Sequence, residues 1–171
     1  MKDLKNYIRN IPDFPKKGIL FRDITTLIGD EERFKEVIDA LVKRYADKKI
    51  DAVLAVESRG FIFGGALAYK IGAGLVPIRK KGKLPSKTFQ ATYSLEYGED
   101  TLEIHQDAIK PGDRVLLIDD LLATGGTISA VISLAQKLKG EIVEIVFIVE
   151  LKDLKGRSRL SDFPVYSMIQ Y

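Results

Sequence analysis

The sequence predicts an α/β fold: a central, mostly parallel sheet flanked by helices, with an inserted β-hairpin and a small N-terminal segment. Three observations carry this. Short apolar runs recur along the chain, helical patterns lie between them, and one stretch breaks the rhythm by alternating residue by residue. Residues 30–46 read as the first long helix. Asp30 suits its N-cap, Glu31 and Glu32 sit in its positive first turn, and Phe34, Val37, Ile38, Leu41, Val42 and Tyr45 make one apolar stripe. AVLAV (52–56) is a continuous apolar run, as expected of a strand covered on both faces. GFIFGGALAYKI (60–71) reads as a helix despite its three glycines, and LVPIR (75–79) as the next strand. Further on, VLLID (115–119) is a strand, Ile128–Leu138 a helix, IVEIVFIVE (142–150) a strand and PVYSMIQY (164–171) a last one. Alternating strands and helices imply right-handed crossovers between parallel strands.

The exception is TFQATYSLEY (88–97), in which Phe89, Ala91, Tyr93, Leu95 and Tyr97 face one way and polar residues the other. Gly98-Glu99-Asp100 reads as a turn and TLEIH (101–105) alternates again, which gives a hairpin with one exposed face. His105, the one histidine, falls on the polar side and reads as a surface residue.

Composition narrows the function classes. A chain of 171 residues suits one domain spanning 1–171, and 46% hydrophobic with 30% charged residues is an ordinary folded composition. No apolar run approaches the roughly 20 residues of a membrane span, and the first residues carry no signal-peptide core. Zero Cys excludes disulfides, thiolate zinc sites and cysteine catalysis, and suits a reducing, cytoplasmic setting. A charge of +3 from 27 basic and 24 acidic residues gives no nucleic-acid signature. No membrane and no nucleic-acid partner is expected.

The chemistry concentrates in VLLIDDLLATGGT (115–127). A strand delivers Asp119 and Asp120 to a loop of Ala123, Thr124, Gly125, Gly126 and Thr127, after which a helix begins. Ligands of open α/β sheets bind at the carboxyl ends of strands, and backbone N–H groups of a small glycine-containing loop can wrap a phosphate. Carboxylates repel phosphate but accept hydrogen bonds from sugar hydroxyls. The combination therefore suits a ribose 5-phosphate. A solvated strand end beside a plain turn is the alternative. The loop lacks the Lys-Ser/Thr of a Walker A motif, and Gly72-Ala73-Gly74 lacks the third glycine of a dinucleotide fingerprint.

This segment resembles the phosphoribosyl-diphosphate signature of type I phosphoribosyltransferases, in the DDLLATGGT form of the adenine-using branch. The likeness extends through FPKKGILFRDIT (14–25), ESRGFIFG (57–64), PIRKKGKLP (77–85), YSLEYG (93–98) and VELKDLKGRSRL (149–160). It implies the type I phosphoribosyltransferase fold, with a hood over about 1–28 and a flexible hairpin flap over about 86–105. The implied activity is a glycosyltransferase step of purine salvage, in which adenine and phosphoribosyl diphosphate give AMP and diphosphate. Mg²⁺ would be carried by the diphosphate, with no metal held by the protein alone, and the assembly would be a homodimer.

Residue by residue, the resemblance assigns Asp119 and Asp120 to the ribose hydroxyls and the developing positive sugar, and Ala123–Thr127 to the 5′-phosphate. Glu57, Ser58 and Arg59 fall at the diphosphate, and Glu57-Ser58 matches the family's non-proline cis peptide. Arg79, Lys80 and Lys83 supply further cations for the diphosphate, in a cluster that can reach across a dimer interface; otherwise they are a solvated loop. Leu20, Phe21 and Arg22 match the adenine-contacting stretch, although Phe21 alone also fits core packing. Glu96 matches the flap glutamate that manages a proton on the base or fixes it by a hydrogen bond; a lone Glu on a strand is otherwise surface. Two other readings remain: a sister enzyme acting on hypoxanthine, guanine, xanthine or orotate, and a phosphoribosyl-diphosphate-binding regulator of nucleic acid. The regulator would call for an additional N-terminal DNA-binding domain, and only about fifty residues precede the first buried strand.

Overall fold

Nine strands and four α-helices are present among the described residues of the computed structural model, which are 4–95 and 98–171. They fall into two units, Met1–Arg44 and Tyr45–Tyr171.

In the first unit a 3₁₀ turn (Leu4–Tyr7) leads into an antiparallel pair, β1 (Arg9–Pro12) and β2 (Leu20–Asp23), with Ile11 opposite Phe21. Neither strand was legible beforehand, because four residues are too few to show alternation. Arg9 pairs with Asp23 at 2.8 Å, and Asp23 also accepts hydrogen bonds from the Thr25 amide (3.0 Å) and hydroxyl (2.6 Å). That fixes the start of α1 (Thr25–Ile28). Helix α2 begins at Glu31, as its N-cap signal predicts: Asp30 Oδ1 accepts the Arg33 amide at 2.9 Å. Val37, Ile38 and Leu41 of its apolar stripe are buried.

The second unit is built on a seven-stranded sheet. Its strands are β3 (Ala52–Val56), β4 (Gly74–Lys80), β5 (Thr88–Leu95), β6 (Gly98–His105), β7 (Arg114–Leu122), β8 (Glu141–Glu150) and β9 (Val165–Gln170). The order is β5-β6-β4-β3-β7-β8-β9, with the run from β4 to β9 parallel and the hairpin β5-β6 added antiparallel at one edge. Helices α3 (Gly60–Ile71) and α4 (Gly126–Lys137) cover opposite faces. On one face Leu54 and Leu117 join Ile128, Val131 and Leu134 of α4 in a single cluster. On the other, a Cβ placed on Gly64 of α3 would fall 2.6 Å from Ala55 Cβ and 3.0 Å from Ile118 Cγ2. The glycines that weaken the helical pattern of 60–71 thus let helix and sheet approach closely.

Strand β3 is buried at every position, as a strand covered on both faces must be. Phe89, Ala91 and Tyr93 of β5 pack against the core, in keeping with the alternation. Three expectations need correction. Gly98–Asp100 is not a turn: Gly98 pairs with Leu95, and β6 begins there. Strand β7 does not stop at Asp119 but runs through Leu122, so both acids stand within its last turn of pleat. His105 is half-buried, with Nε2 shielded and without a hydrogen-bond partner, because the polar side of β6 is covered. Glu103, on that same side, is only 4% exposed, its carboxylate taking hydrogen bonds from Gln90 (2.8 Å) and the Gly82 amide (3.0 Å).

Candidate active site

Strands β3, β4 and β7 are neighbours and parallel, so their carboxyl ends open on one side of the sheet. The chain leaves β3 toward β4 on one flank, while β7 lies on the other. This is the switch-point geometry at which α/β sheets bind ligands.

The β7 end supplies the acids and the glycine loop. Asp119 Oδ1 accepts the Asp120 amide at 2.8 Å. Burial, with the charge of Asp120 alongside, pushes the Asp119 carboxyl well above its ordinary value. Gly125 has φ +84°, a left-handed turn that glycine takes without strain, and it caps α4. Its carbonyl accepts both the Ser129 hydroxyl (2.8 Å) and amide (3.1 Å). Thr124, Gly125 and Gly126 line a small pocket of about 60 Å³ together with Ala123, Thr127 and Asp119. That volume suits one phosphoryl group at a helix N-terminus.

The β3 and β4 ends supply the cations. Arg59 Nε donates to Asp120 Oδ2 at 2.5 Å, an ion pair that joins two residues singled out separately in the sequence. The Glu57–Ser58 peptide bond is cis, as the resemblance implies. The Glu57 carboxylate is enclosed by the basic loop: Lys83 Nζ lies at 2.5 Å, the Lys80 amide at 2.9 Å and Arg79 Nε at 3.4 Å. Burial alone would raise that carboxyl, but the hydrogen bonds from Lys83 and Lys80 and the Lys83 and Arg79 charges hold it below the usual range. Lys80 Nζ reaches across to Asp100 of the hairpin at 3.0 Å.

One cavity of about 470 Å³ gathers Glu57, Ser58, Arg59, Lys80, Lys83, Asp119, Asp120, Ala123 and Thr127. Arg79 does not line it, but rests on two residues that do, with Nε 3.4 Å from Glu57 and Nη1 donating to the Lys83 carbonyl at 3.2 Å. Leu20, Phe21 and Arg22 stand on β2 of the first unit. Leu20 is 46% exposed, the Phe14 ring meets Phe21 edge-on at 5.1 Å, and Arg22 donates to Asn10. Glu96 and Tyr97 lie outside the described residues. Sequence reasoning missed Tyr93, which also lines the large cavity, and Asp100, the partner of Lys80. The alternation had marked Tyr93 as a packing residue, and nothing local ties Asp100 to a lysine twenty residues earlier.

Two acids, a glycine loop at a helix N-terminus and a basic rim thus meet at one end of the sheet, an arrangement able to accept sugar hydroxyls and two anionic groups. The phosphoribosyl transferase domain model matches residues 25–170, and the chain belongs to that family. Among its relatives is the adenine phosphoribosyltransferase of Trichlorobacter lovleyi, 58% identical over 171 residues and covering all of both chains. The crystal structure of adenine phosphoribosyltransferase from Thermoanaerobacter pseudethanolicus superposes with a TM-score of 0.95 at 49% identity, covering 99% of each chain. That of Saccharomyces cerevisiae, complexed with an imino-altritol bisphosphate and adenine, gives 0.92 at 42% identity, over 98% of this chain and 97% of the other.

Proposed function

We propose that the protein is a purine salvage enzyme that transfers the 5-phosphoribosyl group from phosphoribosyl diphosphate to adenine, giving AMP and diphosphate. The observation that carries this is the single cavity that joins Asp119-Asp120, the 123–127 loop and the Arg59, Lys80 and Lys83 cations, in a chain aligned end to end with adenine phosphoribosyltransferases.

In the reaction a ring nitrogen of adenine bonds to C1′ while the C1′–oxygen bond to diphosphate breaks. The bonding electrons leave with the diphosphate, and the attacking nitrogen gives up its proton. The transition state resembles a ribosyl oxocarbenium ion, so the site must orient two reactants and exclude water. Asp119 and Asp120 take the ribose hydroxyls and face the developing positive sugar. The amides and hydroxyls of 123–127 hold the 5′-phosphate. Glu57 and Ser58 form the turn that presents Arg59 to the diphosphate, and Arg79, Lys80 and Lys83 complete its cationic rim.

Mg²⁺ would arrive with the diphosphate as part of the substrate, where it would offset the charge of the leaving group. Among the described residues no three His, Cys, Asp or Glu side chains are grouped so as to hold an ion. On the base side, Leu20, Phe21 and Arg22 offer an apolar and aromatic surface to a flat ring, and Glu96 is assigned the proton or hydrogen bond on the base. Within the single domain 1–171, the hood covers about 1–28 and the flap about 86–105.

The working form is a cytoplasmic homodimer. Ile62 and Tyr69 of α3 and Leu75 of β4 are 41%, 85% and 46% exposed, an apolar surface that a second copy would cover. Among the described residues no helix is long and apolar enough to cross a membrane, and the lack of cysteine suits a reducing compartment. The test is product formation from phosphoribosyl diphosphate, Mg²⁺ and each of adenine, hypoxanthine, guanine, xanthine and orotate. AMP formation with strong preference for adenine is expected. Turnover of a different base would overturn the reading of Leu20–Arg22, and sequence-selective DNA binding without turnover would favour the regulator.

A further inference from the structure

The loop that cradles the phosphate is set against backbone that arrives from thirty residues further along the chain. Strand β8 ends at Glu150, and two 3₁₀ turns, Lys152–Leu154 and Gly156–Leu160, lead toward β9. A Cβ built on Gly156 would fall 2.1 Å from the Ala123 carbonyl oxygen and 3.0 Å from the Gly125 nitrogen. The contact is reciprocal: a Cβ on Gly125 would fall 2.8 Å from the Gly156 carbonyl oxygen. No side chain fits between the two segments, and neither neighbour is a flexible tip that could swing aside. The shape of 123–125, and hence the direction of its amides, is moulded on the Gly156 turn.

That turn is in turn fastened by a side chain that makes four hydrogen bonds. Arg157 forks onto Glu150, Nε to Oε1 at 3.0 Å and Nη2 to Oε2 at 2.5 Å. Nη1 donates to the Val165 carbonyl at 2.9 Å and Nη2 to the Ser167 hydroxyl at 3.1 Å, both on β9. Glu150 is 4% exposed, and the hydrogen bonds and charge of Arg157 hold its carboxyl below the usual range. Leu160, 1% exposed, anchors the other end of the turn in the core. The Leu151 amide donates to the Leu122 carbonyl at 2.9 Å, so the end of β8 is tied to the residue just before the phosphate loop.

We propose that Gly156 and Arg157 are positioning residues for 5′-phosphate recognition, Gly156 as the backbone surface that shapes Ala123–Gly125 and Arg157 as the clamp that holds that surface to β8 and β9. The proposal rests on the reading of 123–127 as a phosphate cradle, and neither residue touches substrate. A planar fork is needed, since a lysine offers a point charge and cannot reach Glu150, Val165 and Ser167 together. The effect of loosening the clamp should fall on phosphate affinity alone, because the base is recognised elsewhere.

The test is calorimetric titration of wild type, Arg157→Lys, Arg157→Met and Gly156→Ala with ribose 5-phosphate and with Mg²⁺–phosphoribosyl diphosphate, alongside steady-state kinetics. Arg157→Lys should weaken both ligands by about tenfold and raise KM for phosphoribosyl diphosphate to match, with KM for adenine within about twofold of wild type. Arg157→Met should be weaker still, so that lysine gives partial rescue. Gly156→Ala should lose about a hundredfold or more; if it does not fold, the two Arg157 variants decide. Wild-type affinity for both ligands in the Arg157 variants, or a parallel rise in both KM values, would overturn the proposal and leave the cradle reading intact. Failure of wild type itself to bind ribose 5-phosphate would remove the cradle, and this proposal with it.

Discussion

The two regions proposed to bind anions are made in opposite ways. The 123–127 loop is held by backbone: Gly125 in a left-handed turn, Ser129 on the Gly125 carbonyl, Gly156 pressed against it. The rim from Glu57 to Lys83 is held by charge. Lys83 and Arg79 rest on Glu57, Lys80 on Asp100 and Arg59 on Asp120. In the proposed reaction the 5′-phosphate stays bound throughout, while the diphosphate must leave. A backbone cradle gives a fixed seat to the group that stays. Cations already paired with internal acids can be lent to the departing group and taken back, at little net cost in desolvation.

Breaking the charged rim should have the largest effect. Arg59→Ala removes the proposed diphosphate ligand and leaves Asp120, 7% exposed, without its partner, so kcat/KM should fall by about a hundredfold to a thousandfold. Loss below tenfold would show that Arg59 serves only Asp120. Asp120→Asn keeps the shape and removes the charge, and turnover and phosphoribosyl-diphosphate affinity should each fall by about tenfold or more with the fold intact. Unchanged kinetics would remove the ribose assignment.

A salt series sharpens the contrast. Raising KCl from about 50 to about 500 mM should raise KM for phosphoribosyl diphosphate several-fold in wild type and less in Lys83→Gln. If ribose 5-phosphate binding has an equal salt slope, the two regions do not differ in kind.

The smallest effect is on stability, and its sign follows from Asp119. A carboxyl raised in the folded state favours the fold at low pH, and that contribution is lost as pH rises from the unfolded value of about 3.9 through the folded one. Asp119→Asn should therefore raise Tm at neutral pH by about 2–4 °C, with the gain shrinking as pH falls through the folded value and gone below the unfolded value of about 3.9. Glu57 and Glu150 act oppositely. Their depressed carboxyls stabilise the fold above the unfolded value and lose that stabilisation as pH falls through the folded one. A Tm for Asp119→Asn below wild type at pH 7 would contradict the burial argument.

Much of this was legible in the sequence wherever the signal is local. The bounds of α3 and the buried run 52–56 follow from apolar pattern, and the acid-acid-loop junction from chemistry placed at one strand end. Where the partners are distant in the chain, the pattern misleads. The polar side of β6 looks solvent-facing until Gln90 and the Gly82 amide are seen to satisfy Glu103. Gly98 looks like the start of a turn, yet with φ +104° it is the first paired residue of β6, opposite Leu95. Gly156 and Arg157 fall within the matching stretch 149–160, but their part is not legible there, because what they touch comes from 122–125, Glu150 and β9.

The adjacency of β4, β3 and β7 makes the sheet a ruler. Neighbouring strands lie about 4.8 Å apart, so loops leaving β7 and β4 are separated by two such intervals, about 10 Å. A ligand must carry its two anionic ends at about that span to engage both loops at once. Free phosphate and free diphosphate each satisfy only half of the measure, so the spacing of the strands favours a whole substrate over its fragments.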